Sequence, residues 1–242
     1  MFAVASFAEN LRLLADFLMP RVCVVCGRAL LPQERSICLC CLADLPLTHF
    51  SSCSRNPMAD SFNSRIEASS YMWGTALFHY GGGYDRITKS LKYDGNFDAG
   101  RRFGAMLGEQ LAASPQFRDA DTVISVPLHW TRKWKRGYNQ AEVIAREVCR
   151  ALPAARLRTD ILKRTGRTRS QAGLGEEEKE ANVAGAFEAT VHDPSIRHIL
   201  LIDDVFTTGS TAAECYRALR KLYDDKVRIS VATLGYAGGS SL

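Results

Sequence analysis

The sequence predicts an α/β fold: a parallel sheet with helices on its faces, preceded by a small N-terminal metal-binding ribbon. Three observations carry that expectation. From Val123 onward, strand-like apolar runs alternate with amphipathic helix-like runs, the pattern of a parallel sheet with crossover helices. Between His198 and Thr211, four apolar residues, two aspartates and a hydroxyl-rich turn lead directly into a helix. Cys23, Cys26, Cys38 and Cys41 form two pairs with the same two-residue gap. The chain has 242 residues, 46% of them hydrophobic, enough for one large domain or one domain with a small appendage. No apolar run reaches the roughly 18 residues of a membrane span. Glu9, Arg12 and Asp16 interrupt the first apolar residues, which excludes a signal peptide and makes the cytoplasm the expected compartment.

Taken in order, residues 6–19 are expected to form a short helix. Ser6 and Glu9 fit a capping box, Phe7, Leu11, Leu14 and Leu18 form one stripe, and Pro20 ends it. The cysteine pairs follow. Glycine just after Cys26 suits a knuckle that turns backbone N–H groups toward sulfur, and four thiolates make a closed structural zinc site. Clustered cysteines in a chain without an export signal argue for metal rather than disulfides. Cys40 stands between the second pair, and only the choice of Cys38 and Cys41 repeats the spacing. Residues 48–66 have no period and read as a linker, so the domains are expected to be 1–60 and 61–242.

Tyr71–Tyr80 reads as one or two strands, and Gly81-Gly82-Gly83 as a turn. Tyr84–Leu91 and Asp98–Leu111 read as helices, and Thr122–Val126 as a buried strand ended by Pro127 and Leu128. A helix is expected over Asn139–Leu152, burying Val143, Ile144, Val148 and Leu152. A short strand is expected at Asp160–Leu162 and another at Ala186–Ala189. Between them, Lys163–Asn182 is long and polar, the composition of a mobile functional loop or of a plain surface loop. Ala212–Leu222 reads as a helix with Cys215, Leu219 and Leu222 on one face, and Val227–Leu234 as the last strand, alternating.

The stretch that organises the chain is Ile199–Thr211. Backbone N–H groups at a helix start, with the positive end of its dipole, attract a phosphate. Gly209 lets the backbone curl close to such a group, and Thr207, Thr208, Ser210 and Thr211 add hydroxyl donors. Asp203 and Asp204 can accept hydrogen bonds from vicinal ribose hydroxyls.

Charge is distributed unevenly. The net charge is +5, yet His129–Gln171 holds twelve Lys/Arg against three Asp/Glu. Its densest part, Arg132-Lys133-Trp134-Lys135-Arg136-Gly137-Tyr138, interleaves cations and aromatics. That mixture suits phosphate contact with base stacking, or a clamp on a pyrophosphate. A solvated basic face and a core Trp134 are the plainer alternatives.

Together these features resemble the competence protein F (ComF) family, which joins a four-cysteine zinc ribbon to a type I phosphoribosyltransferase domain. The resemblance covers about residues 20–237. It rests on Cys23, Cys26, Cys38 and Cys41, on Leu91-Lys92-Tyr93, on Val126-Pro127-Leu128, on Arg136-Gly137-Tyr138-Asn139-Gln140, on Gln171 and Asn182, and on Ile199–Thr211. Lys179 replaces an arginine common three residues before the Asn182 position, and Cys40 is additional.

The resemblance implies a type I phosphoribosyltransferase-like sheet and Mg²⁺-PRPP as ligand. Asp203 and Asp204 would then hold the ribose hydroxyls and act in catalysis. Val205, Thr207, Thr208, Gly209, Ser210 and Thr211 would surround the 5′-phosphate, and Pro127 and Leu128 would border the pyrophosphate. Lys92, Arg132, Lys133, Lys135, Arg136, Tyr138, Arg167 and Arg169 are the candidates for pyrophosphate or nucleic acid. The resemblance also implies a role with single-stranded DNA during uptake in natural transformation, beside a competence helicase or recombination mediator. The runner-up is an active glycosyltransferase, moving phosphoribosyl from PRPP to a base or amine acceptor.

Overall fold

A computed structural model describes residues 21–130, 134, 136–165 and 185–238. The helix expected at 6–19 lies outside them. The strands are β1 (Gly74–His79), β2 (Thr122–Ser125), β3 (Arg156–Leu157), β4 (Leu162–Arg164), β5 (Phe187–Ala189), β6 (His198–Phe206) and β7 (Arg228–Tyr236). The helices are α1 (Leu39–Ala43), α2 (Pro57–Asn63), α3 (Asp85–Tyr93), α4 (Phe97–Ala113), α5 (Gln140–Ala151) and α6 (Ser210–Arg220).

Five strands pair in the order β1-β7-β6-β2-β3, every neighbour parallel. Helices cover both faces. On one face Ile87, Phe103, Leu107, Ile144 and Val148, from α3, α4 and α5, meet Leu200, Ile202 and Leu234. On the other face Met58, Phe62, Cys215, Tyr216 and Leu219, from α2 and α6, meet Ile199, Leu201 and Val231. A strand buried on both faces needs no polar side, which is why Ile199–Ile202 is an unbroken apolar run. The same burial overrides the alternation expected in the last strand: Ser230 and Thr233 are as buried as Ile229 and Val231.

The packing of α4 on α5 depends on missing side chains. A Cβ at Gly104 would stand 3.2 Å from the Ile144 backbone, and one at Gly108 would stand 3.2 Å from that of Val148. Glycines one turn apart on α4 let the two helix backbones approach closely.

Three sequence expectations change, and one strand had no counterpart among them. Residues 48–66 are not a linker: they hold a 3-10 turn at Phe50–Ser52 and the helix α2. Asn56 caps α2 by accepting from Ala59 N at 2.9 Å, and its amide donates to Gly74 O at 3.0 Å. Phe50, Met58 and Phe62 are buried in the core. A seven-residue helix is too short to show a period, so its composition alone read as loop. The strands β4 and β5 pair antiparallel as a separate ribbon instead of joining the sheet. The edge strand β3 has only two residues and leaves no sequence signal. Leu222, expected on the buried face of α6, lies past the helix end and is 36% exposed.

Phe62→Ala is therefore expected to cost about 3–5 kcal/mol in urea denaturation, the range for deleting a core phenylalanine. A change below about 1 kcal/mol would be the behaviour of a linker residue. No described helix is long and apolar enough to cross a membrane.

Candidate functional site

The strand order reverses between β2 and β6. The chain leaves β2 through α5 toward β3, and leaves β6 through α6 toward β7, on opposite sides. Ligands of open α/β sheets bind outside the strand C-termini at such a reversal. Pro127 and Leu128 leave β2 there, half-exposed, and the acidic pair lies near the end of the adjacent β6. Val126 N donates to Ile202 O at 2.8 Å, which fixes the two strand ends side by side.

Successive strand residues point to opposite faces. Asp204 leans toward the α3 face, is 5% exposed, and has its Oδ2 at 2.5 Å from Lys92 Nζ. That contact is a charge pair lying off hydrogen-bond direction, so Oδ2 keeps no aligned donor. Desolvation, the largest influence on Lys92, opposes its charge, yet the Asp204 carboxylate outweighs it and raises the ammonium pKa. Asp203 leans to the other face, and its Oδ1 accepts from Asp204 N at 2.8 Å. Burial first, and then the neighbouring Asp204 carboxylate, push Asp203 up to about 8.

A carboxyl with a raised pKa holds a proton that the unfolded chain has lost. Stability drawn from protonated Asp203 therefore declines as pH rises from about 4, its ordinary value, through about 8. A cation or a ribose hydroxyl donating to this pair needs the proton gone. A cation binding at this pair is therefore expected to bind more tightly at pH 8 than at pH 6, with proton release in calorimetry. Affinity that is flat across that range, with no proton release, would contradict it.

The loop after β6 closes on itself. Gly209 has φ +85°, and a Cβ there would meet the Phe206 ring at 2.6 Å, so only glycine fits this turn. Thr208 and Ser210 share a hydroxyl bond at 2.8 Å. The Thr208 carbonyl accepts from Ser61 Oγ at 3.4 Å and from Arg65 Nε. α2 and the segment after it thus hold the loop from behind, which nothing in their sequence announced. Ser210 N donates to Thr208 Oγ1 at 3.4 Å, and the N–H groups of Thr211 and Ala212, with no carbonyl a turn back to reach, are the donors an anion uses.

Two distant motifs come together beside this loop. Tyr138 donates its hydroxyl to Leu91 O, and its ring packs on Phe97 at 4.6 Å. Arg136 stacks over Tyr93 at 5.3 Å and donates to Gln140 Oε1 at 3.2 Å. Asn139 caps α5 at Ala141 N and donates to Val126 O at 3.0 Å. Tyr138 and Asn139 accordingly tie α5 and α3 to the β2 end.

Trp134, for which a core position was the plainer reading, is 86% exposed, and Trp130, which the sequence reading left unmarked, is 67% exposed. Several cations of the basic window are neutralised locally: Arg146 by Glu142, Arg150 by Glu147, and Arg158 by Asp160 and Asp193. Arg132, Lys133, Lys135, Arg167, Arg169, Gln171, Lys179 and Asn182 lie outside the described residues.

Cys23, Cys26, Cys38 and Cys41 converge, their sulfurs all within 4.8 Å of one another. The Cys26–Cys38 sulfur separation is 3.8 Å. A tetrahedron with 2.3 Å metal–sulfur bonds has edges of about 3.8 Å, so the set fits structural zinc. Cys40 is exposed and outside the cluster, which resolves the ambiguity in the second pair. The Cys38 and Cys41 amides donate to Cys23 and Cys38 sulfurs, at 3.4 and 3.5 Å, and Arg28 donates to Cys38 at 3.5 Å. The Arg28 backbone N–H is the main cause holding Cys26 down to about 6. Glu34, which sequence reasoning missed, braces the ribbon by accepting from Leu31 N and Leu39 N. The ribbon rests on the start of α3: Tyr84 donates to Cys41 O at 3.1 Å, and Arg86 to Val25 O at 2.8 Å.

No protein-family model matches the chain. Competence protein F of Haemophilus influenzae is 36% identical over 116 residues, 47% of this chain and 50% of that protein. DNA utilization protein YhgH of Escherichia coli is 36% identical over 99 residues, 41% of this chain and 43% of that one. This chain is similar to competence protein F and to the YhgH proteins. YhgH of Salmonella typhimurium is 25% identical over 205 residues, 82% of this chain and 83% of that one. The match to the Haemophilus ComF protein spans about half its length. Among solved structures, TT1426 of Thermus thermophilus is 16% identical and covers 59% of this chain and 84% of its own, at a TM-score of 0.34.

Proposed function

We propose that this ComF-like protein binds Mg²⁺-PRPP, or a related 5-phosphoribosyl ligand, where β2 and β6 end. We further propose that it binds single-stranded DNA on the adjoining aromatic and basic surface, in the cytoplasm, in support of DNA uptake during natural transformation. Beside a competence helicase or recombination mediator, such a protein would handle the incoming strand. One observation carries the ligand reading: a helix start behind an obligate glycine follows directly on a carboxylate pair at the strand-order reversal. In this reading α6 and the Thr207–Thr211 hydroxyls hold the 5′-phosphate. Lys92 moves from Asp204 to the diphosphate, which frees Asp204 for a ribose hydroxyl. Asp203 and Asp204 are hard oxygen donors that suit Mg²⁺, whose contribution is to neutralise diphosphate charge. The names of the relatives, a competence protein and DNA utilization proteins, support the DNA reading. Exposed Trp130, Trp134 and Tyr93 offer stacking faces, and Arg136 offers a cation among them. The division we propose is functional: residues 1–60 carry the metal ligands and residues 61–242 the ligand site.

The test is a calorimetric titration with PRPP, with and without Mg²⁺, beside single-strand binding at several salt concentrations. Saturable, Mg²⁺-dependent PRPP binding is expected. DNA affinity is expected to fall with salt, with a slope reduced by about 1 in Arg136→Ala. Absence of PRPP binding would remove the ligand reading, and absence of salt dependence the DNA reading.

The second reading keeps the acidic pair for turnover. Pyrophosphate would leave ribose C1 as an acceptor nitrogen forms the new bond, through an oxocarbenium-like transition state stabilised by fixed charges. Release of pyrophosphate that depends on an added base would decide for it.

A further inference from the structure

Away from the strand ends, the segment after α2 and the last turn of α6 flank an open cavity of about 560 Å³. Arg65, Arg217, Arg220 and Lys221 line it, with Glu67 as the one carboxylate. Cations in the last turn of a helix complement its negative dipole end, which alone accounts for Arg217 and Arg220. It does not account for Arg65, which comes from another segment, nor for the cavity. Arg217 spends one amine on Glu214 and another on Arg65 O. Arg220 stacks over Tyr216 at 4.9 Å, which fixes its plane. Its Nη1 donates to Asp224 O and its Nη2 faces Met72 Sδ at 4.0 Å, while its Nε is buried without a hydrogen-bond acceptor, the Asp225 carboxylate standing 3.8 Å away, too far to serve. Lys221 is exposed, with no ion-pair partner among the described residues.

We propose that this cavity is a second anion site, for a phosphate monoester or diester. Guanidinium groups from two segments and the exposed Lys221 ammonium, facing one carboxylate, give this cavity an excess of positive charge suited to phosphate oxygens. The volume suits a nucleotide-sized group. The site is separate from the strand-end ligand site and does not rest on that reading. The two share one side chain: Arg65 lines the cavity while its Nε donates to Thr208 O.

The test is residue-resolved. The full chain is treated with phenylglyoxal, and arginine modification is followed by peptide mass spectrometry. Arg101, exposed and paired only with Asp98, is the internal control. The probes are AMP, a (dT)12 oligonucleotide, and potassium chloride at matched ionic strength. At about five times the Kd, occupancy should slow modification of Arg217 and Arg220 about sixfold and leave Arg101 unchanged. Protection by AMP identifies a free nucleotide as sufficient, and protection by the oligonucleotide alone identifies a strand backbone. Lys221→Glu, a surface change, should abolish the protection, and Asp204→Asn should keep it. Equal modification with and without both phosphate probes, or slowing matched by the chloride, would overturn the proposal.

Discussion

Asp204→Asn is expected to weaken Mg²⁺-PRPP binding by at least about 100-fold in calorimetry. Hydrogen bonds to a charged group are worth about 1.5–3 kcal/mol each, and a carboxylate facing ribose loses two acceptor directions to an amide. Asparagine keeps the volume, so the change removes charge rather than packing. It also strands the Lys92 ammonium, whose partner at 2.5 Å is this carboxylate. Lys92→Met separates the two effects. With the cation gone, Asp204 loses its counter-charge, and PRPP affinity falls through the diphosphate instead of the ribose. A ribose 5-phosphate probe, which lacks diphosphate, should then be lost in Asp204→Asn and largely kept in Lys92→Met. Equal binding of PRPP to the wild type and Asp204→Asn would end the proposal that this pair grips the sugar.

Cys38→Ser is expected to lose the metal. Zinc analysis should fall from about one ion per chain toward zero, because a neutral hydroxyl replaces a thiolate in a closed four-sulfur site. Structural zinc contributes about 10–16 kcal/mol of binding free energy in small modules, so the ribbon should unfold when it leaves. Hydrogen exchange should then accelerate over residues 21–47 and at the start of α3, where Tyr84 and Arg86 hold ribbon carbonyls. The strands β6 and β7 should keep their protection, since they pair with each other and with β1 and β2 inside the sheet. Cys40→Ser is the control: exposed and outside the sulfur cluster, it should keep full zinc content. Loss of zinc in Cys40→Ser with retention in Cys38→Ser would reverse the ligand assignment.

The organising stretch was legible because its residues act locally. A strand buried on both faces must be continuously apolar, and a turn with positive φ must be glycine, so Ile199–Ile202 and Gly209 announce themselves in order. Equal spacing selected Cys38 and Cys41 in the same way, since a knuckle is a local turn. By itself the sequence determined the parallel α/β class, the acidic pair ahead of a helix start, and the four-cysteine set.

Tertiary structure alone decided what depends on contacts between distant segments. Lys92 reaches Asp204 across more than a hundred residues of chain, and Arg65 reaches Thr208 across 143. Neither pairing has a period or a spacing, because side-chain charge contacts are set by how helices lie on the sheet. The burial of Phe50, Met58 and Phe62 was hidden for a related reason: a helix of two turns carries too few residues to show which face is inside. The basic window divides between the two: Arg146–Glu142 and Arg150–Glu147 are helix spacings of four and three residues, whereas the pairing of Arg158 with Asp193 and the exposure of Trp130 and Trp134 were set by packing.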